Sequence, residues 1–368
     1  MIIKLDELKP ICSKILFALD SSSISELNDV VQIKSEDSNL KLSVTNGDYI
    51  VSIKLPAEGV NNFNATIKAD TFLKLIPQFT QDEVEISIDG NSLKIKCDGT
   101  YKLPLMYEND TMLELPAITI DNVEEQFEIK GSILKSILDH NSKEFNKGEI
   151  VKPVQTLYYM DELGAITFTS GACVNNFTLA FPVKVLLNQK LVRLFKFFTD
   201  DNVLFTYGKD PINDVLMQSK VKFETTNICI TAKISCDDAL LNSFPVTAIR
   251  NMAQTNYDYN FTLNKNALIK ALNRLLVFDK DKNAACNLSF RNDVLILSNE
   301  SNPDNIEVIS YENPINGIEL SYETKLNLKD FKITLENCSE QFVVVGFGNH
   351  ISIMITRGNI STILPERV

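Results

Sequence analysis

Strand-like alternation and helical spacing follow one another along this chain in a recurring order. Three segments open alike: IIKLDELKPICSKIL from Ile2, FEIKGSILKSIL from Phe127 and FTLNKNALIKALNRLL from Phe261. Phe127 and Ile129, or Phe261 and Leu263, alternate as strand positions do. Ile133, Leu134 and Ile137, or Leu268, Leu272 and Leu275, then fall at the spacing of one helix face. The three starts lie roughly 125–135 residues apart, which marks an internal repeat.

Each of these units holds the pattern a second time. ATIKADTFLKLIPQF from Ala65, VKVLLNQKLVRLFKFF from Val183 and IELSYETKLNLKDFKI from Ile318 supply a second strand and helix. Paired alternating runs follow: VEISIDGNSLKIKC with its turn at Asp89-Gly90-Asn91, VLFTYGKDPINDVLMQSKVKF, and FVVVGFGNHISIMITRG. Turn residues between β-branched alternating runs predict hairpins. The sequence therefore predicts an α+β protein of six strand–helix–strands units, arranged as three domains of two units: 1–122, 123–253 and 254–368. Predicted helices cover 7–18, 68–78, 130–139, 188–198, 264–276 and 323–332.

Charge changes the picture. The chain carries a net charge of -12, which taken as a whole argues against nucleic acid. Yet the six predicted helices hold fifteen Lys and Arg against five Asp and Glu. Exposed helices that merely favour lysine would balance it with glutamate at i,i+4. A positive bias on all six points instead to one polyanionic partner, approached through a single basic face. Lys190, Arg193 and Lys196 are three apart, and Lys270 and Arg274 four apart, as are Lys325 and Lys329. The stripes carry neither interleaved aromatics for base stacking nor an Arg/Asn cluster for base edges, so sequence-independent phosphate contact is expected.

Candidate catalytic chemistry is sparse. There is no phosphate-binding glycine loop, nucleophile elbow or zinc-protease motif, and Gly346-Phe347-Gly348 reads as a turn between strands. The two histidines, His140 and His350, are expected in turns or at the surface. Acidic pairs such as Asp200-Asp201 and Asp237-Asp238 fit caps and solvent better than a metal. The seven cysteines are scattered, with no C-x-x-C, and are expected as free thiols of a cytoplasmic protein. The N-terminus lacks the pattern of a secretory signal and no apolar run is long enough to span a membrane. Neither enzyme activity, cofactor nor metal is expected.

Tandem repeats and basic helices in an acidic chain resemble the DNA sliding clamp family, the beta subunit of bacterial DNA polymerase III. The resemblance spans the whole chain. Local matches are LDELKPI in the first helix, Ser243-Phe244-Pro245 in the segment joining domains two and three, and the ending Leu364-Pro365-Glu366-Arg367-Val368. Thr169-Ser170-Gly171-Ala172-Cys173-Val174, Ile24-Ser25-Glu26-Leu27 and Glu366 depart from the family pattern, as in a divergent member encoded by a phage or plasmid. The resemblance implies a non-enzymatic processivity factor: a head-to-tail homodimer closing into a six-domain ring around duplex DNA, tethering the polymerase and recognising it and the clamp loader through short peptides. Its DNA face would comprise Lys9, Lys14, Lys68, Lys74, Lys135, Lys190, Arg193, Lys196, Lys270, Arg274, Lys325 and Lys329. A partner-peptide cleft would take Gly171, Val174, Pro245, Ile249, Leu364, Pro365 and Arg367, with His350 near its rim. The dimer contact would set Tyr101 and Leu103 against Leu275, Leu276 and Phe278. A β-rich structural or virion protein with incidental basic helices is the alternative.

Overall fold

The computed structural model describes residues 1–19, 26–36, 38–59, 62–141, 153–169, 172–177, 180–199, 201–213, 216–279, 281, 284–314, 319–348 and 352–367. One motif recurs six times: a lead strand, a helix, then three antiparallel strands. The first copy is β1 (Ile2–Lys4), α1 (Leu5–Ala18), β2 (Val30–Glu36), β3 (Asn39–Thr45) and β4 (Tyr49–Pro56). The second is β5 (Phe63–Lys68), α2 (Ala69–Leu75), β6 (Glu83–Asp89), β7 (Ser92–Lys96) and β8 (Thr100–Pro104), trailed by the short hairpin β9 (Tyr107–Glu108) and β10 (Thr111–Met112). The third is β11 (Val123–Lys130), α3 (Gly131–Asn141), β12 (Leu157–Asp161), β13 (Gly164–Phe168) and β14 (Cys173–Asn176). The fourth is β15 (Val185–Asn188), α4 (Gln189–Val192), β16 (Asn202–Pro211), β17 (Met217–Glu224) and β18 (Ile228–Ile234). Two helices that the sequence pattern does not predict, α5 (Asp238–Ser243) and α6 (Val246–Gln254), come next. The fifth copy is β19 (Tyr259–Asn264), α7 (Lys265–Phe278), β20 (Ala285–Phe290), β21 (Val294–Asn299) and β22 (Ile306–Ser310). The sixth is β23 (Tyr322–Asn327), α8 (Leu328–Glu336), β24 (Phe342–Phe347), β25 (Ser352–Arg357) and β26 (Ile360–Pro365).

Local chemistry sets these elements. The Asn264 side chain accepts from the Ala267 N–H at the start of α7, and Leu268, Ala271, Leu272 and Leu275 form its buried stripe. Asn327 accepts from the Lys329 and Asp330 N–H groups and so starts α8 at Leu328. The sixth helix therefore begins later than 323, and Lys325 lies on β23. The fourth helix is α-helical only over Gln189–Val192 and tightens to a 3-10 helix over Arg193–Phe197. Lys68 ends β5 ahead of α2 rather than lying on the helix.

Within each pair of copies the lead strands are exchanged. β1 pairs with β6 beside β7 and β8, whereas β5 pairs with β2 beside β3 and β4. The same holds for β11 with β16, β15 with β12, β19 with β24 and β23 with β20. No copy can complete its own sheet, which is why the motif comes in pairs.

The chain forms two compact units, Met1–Ser132 with Leu194–Ser235, and Ile133–Arg193 with Cys236–Val368. The first is built on the eight-stranded sheet β11-β16-β17-β18-β4-β3-β2-β5 and the four-stranded sheet β1-β6-β7-β8. The second has the eight-stranded sheet β15-β12-β13-β14-β26-β25-β24-β19 and the four-stranded sheet β22-β21-β20-β23. Each long sheet fuses half of the middle pair of copies to half of a terminal pair, through β18–β4 and β14–β26.

Candidate nucleic-acid interface and partner surfaces

In the first unit, α1 packs beside α2. Leu5, Leu8, Cys12, Ile15 and Ala18 bury the inner stripe of α1, which leaves its lysines on the other side. The Lys9 Nζ donates to the Phe79 carbonyl at 2.6 Å. Lys14 lies 6.0 Å from the centre of the Phe197 ring, and the Lys196 ammonium sits over Phe17. Phe17 and Phe197 themselves meet edge to face at 5.9 Å. Lys68 is exposed, and Lys74, equally exposed, pairs with Asp70 at 2.7 Å.

In the second unit Lys135, Lys190 and Lys270 are exposed, while Arg193 and Lys329 are half-buried. Arg274 is held by Glu307 through two bonds of 2.6 Å. Hydrogen bonding to that guanidinium keeps the Glu307 carboxyl below its ordinary range. Lys325 pairs with Glu300 at 2.8 Å. Exposed pairs of this kind contribute little to stability and exchange readily for another anion. The candidate cations thus include exposed lysines, half-buried Arg193 and Lys329, and residues held by a carboxylate, a ring or, for Lys9, a backbone carbonyl.

The cleft residues converge in the second unit. Val174 on β14 is the register partner of Thr362 on β26, and α6 packs on both strands with Ile249 buried. Pro245 immediately precedes α6. Leu364 is buried and paired with Ile353, and exposed Pro365 ends β26. The tail is fixed in place. The Glu366 carboxylate accepts from the Tyr322 hydroxyl at 2.7 Å and Thr324 at 2.8 Å, while the Arg367 N–H donates to the Lys325 carbonyl at 2.8 Å. A groove of about 700 Å³ runs beside it, walled by Asn287, Ser289, Lys325, Glu366 and Arg367. Gly171 and His350 lie outside the described residues.

A charged network with no signature in the sequence holds α6 down. Arg250 makes a bidentate pair with Asp161, the Tyr159 hydroxyl donates to the same carboxylate at 3.1 Å, and Phe244 stacks on Tyr159 at 5.3 Å. Burial alone would raise the Asp161 carboxyl, but the hydrogen bonds from Arg250, Leu163 and Tyr159 outweigh it and hold the group below its ordinary value.

Of the dimer residues, Tyr101 and Leu103 sit on β8, the last strand of its sheet, with Tyr101 leaning on Phe79 at 5.3 Å. A groove of about 670 Å³ between α2 and β8 is lined by Thr71, Leu75, Gln78, Tyr101 and Leu103. On α7, Leu275 points into the core, Leu276 is half-buried, and Phe278 is exposed. Ile306 and Val308, which the sequence reading does not single out, stand outward on β22, the terminal strand of its own sheet, with 59% and 58% of their surface exposed. Their signal is present in the alternating run IEVIS.

Among the described residues there is no cluster of three or more metal-ligating side chains, and all seven cysteines are free. No helix of the described residues is long and apolar enough to cross a membrane.

The exchanged lead strands, paired copies and two fused sheets define the fold of the DNA sliding clamps. The chain matches the DNA polymerase III subunit beta of Pseudomonas aeruginosa with a TM-score of 0.80 at 15% identity, over 100% of this chain and 99% of that one. The sliding clamp of Bacillus subtilis matches at 0.79 and 16% identity, over 100% and 98%. The DNA polymerase III beta subunit of Thermotoga maritima matches at 0.78 and 12%, over 100% and 98%. No protein-family model matches the sequence, and no curated protein matches it.

Proposed function

We propose that this protein is a sliding clamp: a non-enzymatic processivity factor that encircles duplex DNA without regard to sequence and tethers the replicative polymerase. The observation that carries the reading is the chain-long clamp fold, in which β8 and β22 are each the terminal strand of a four-stranded sheet. Three domains of two copies each, 1–122, 123–253 and 254–368, would join head to tail with those of a second copy. Pairing β8 of one subunit with β22 of the other would complete an eight-stranded sheet like the two already inside the chain. It would also cover Tyr101, Ile306 and Val308, and remove edges that invite aggregation.

In this reading the helix lysines face phosphates through weak, screened contacts that favour no register, so the ring slides. Topology prevents lateral escape, and tethering makes polymerase rebinding intramolecular. Partner peptides of the polymerase and loader would dock where α6, β14 and β26 meet, with the tail as one wall. The protein would act in the cytoplasm.

The test is retention on DNA. Loaded onto nicked circular plasmid by a cognate loader, the protein should co-elute with the circle and be lost when the circle is cut. Equal loss from intact circles would sink the ring. Light scattering should give twice the subunit mass at low micromolar concentration.

A further inference from the structure

In the first unit, a groove of about 500 Å³ opens between α1, the end of β4 and the turn joining β17 to β18. Its lining mixes polar residues with Ile11, Ile53, Phe197 and Ile228. Lys14 projects from α1 and Lys54 from β4, while Thr225, Thr226 and Asn227 form the turn. That turn is rigid. The Thr225 Oγ1 accepts from the Ile228 N–H at 3.0 Å, and the Asn227 carbonyl accepts from the Lys54 N–H at 2.8 Å. Thr226 and Asn227 thus line the groove together with Lys14 and Lys54. Among the described residues, Asp201 is the one carboxylate lining the groove.

The second seam shows what such a place otherwise holds. There the β14–β26 junction repeats the β4–β18 junction, with the Phe177 N–H donating to the Asn359 carbonyl at 3.0 Å as Lys54 does to Asn227. By that register Thr225 corresponds to Arg357, a fully buried arginine whose Nη1 donates to Thr362 at 2.7 Å. At the corresponding register position the second unit thus carries a long, buried side chain. In the first unit the shorter Thr225 stands there, and the groove is open.

We propose that this groove binds a phosphate group, delivered by a nucleic-acid strand as it passes α1. Two ammonium groups supply charge, and hydroxyl and amide groups supply the directed donors with which proteins hold phosphate oxygens. The open groove exceeds what a lone ion needs and suits a strand running through. The inference rests on reading the α1 face as the nucleic-acid side, but its test does not depend on ring closure.

Binding of a fluorescein-labelled dT12 strand and of a 12-base-pair duplex would be followed by anisotropy with the full chain at several salt concentrations. Lys14→Glu/Lys54→Glu should weaken binding at least about tenfold, and reduce the slope of log K against log salt by about 1.4 for the single strand, near 0.7 for each phosphate no longer neutralised. Asn227→Ala should weaken it without changing the slope. Lys184→Glu, on an exposed residue of the other unit that has no part in the proposed DNA face, should leave it unchanged. Competition by ATP, abolished in the double variant, would identify a free nucleotide as a source of the same phosphate. Unchanged oligonucleotide affinity in a folded double variant, or a loss seen for poly-glutamate and not for dT12, would overturn the proposal. Failure of plasmid retention with intact dT12 binding would count against the clamp reading alone.

Discussion

Two residues of the second unit carry their charge state into stability. Asp161 and Arg250 lie with side chains 8% and 11% exposed, so removing one strands the other. Asp161→Ala should cost about 3 kcal/mol, because the guanidinium is left buried without its partner. Adding Arg250→Met to that variant should recover part of the loss, and a urea-melt double-mutant cycle measures both. Asp161 titrates below its ordinary value in the fold. Its stabilisation is therefore complete above the unfolded pKa of about 3.9 and is lost as pH falls through the folded one. His140 acts in the same direction, but at higher pH. Burial, reinforced by nearby Arg357, lowers the proton affinity of its ring against the opposing pull of its 2.7 Å bond to the Asn337 carbonyl and of Asp139 and Glu340. The unfolded chain takes up that proton first, so stability should decline as pH drops below about 6.5. The urea midpoint should fall more between pH 7.5 and 5.5 in the native protein than in His140→Gln; parallel falls would rule His140 out as the cause.

At the scale of elements, the segment 119–122 is strapped across β16. Asp210 accepts from the Asp121 N–H at 3.1 Å and the Asn122 N–H at 2.8 Å, and Lys220 bridges Asp210 and the Thr119 carbonyl at 2.7 and 2.8 Å. Gly208 lies so close under the Asn122 carbonyl that a Cβ would collide with backbone. Gly208→Ala should cost about 1–3 kcal/mol and expose 113–122 to limited proteolysis; protection equal to the native protein's would mean the strap does not bear on β16. None of this is legible in the sequence, because the partners are some ninety residues apart and no local period marks them. The six copies themselves are legible, since a buried helix stripe and an alternating strand each impose a spacing that survives in the residue order. Lead-strand exchange is not, because pairing partners leave no trace in either strand's own pattern. The start of the sixth helix is hidden in a similar way: NLKDF carries the helical spacing back toward Lys325, and only the Asn327 cap decides where the helix begins. Glu366, a departure from the family ending, reads as lost apolar surface in the sequence. In the structure it is an acceptor for Tyr322 and Thr324 that holds the tail.

For the whole molecule, the proposed ring depends on two terminal strands, β8 and β22, each paired on one side only. Leu276→Lys on half-buried Leu276, or Val308→Pro on β22, should leave the melting temperature within a few degrees and halve the mass found by light scattering. A dimer surviving both would place the contact elsewhere. Leu275→Lys, by contrast, should unfold the second unit, since that side chain lies in its core. Charge reversal at Lys196 and Lys270 should weaken loading on DNA without altering the melt. The terminal strands have one more consequence. β8 and β22 are different surfaces, so their union is heterologous rather than self-complementary, and such a union ends only when the angle between subunits returns the last copy to the first. Closure after two copies is then a matter of angle, separate from how tightly the strands adhere. A substitution that tilts β22 while sparing its backbone donors should yield open fibres growing with concentration, visible by electron microscopy, instead of a weaker ring.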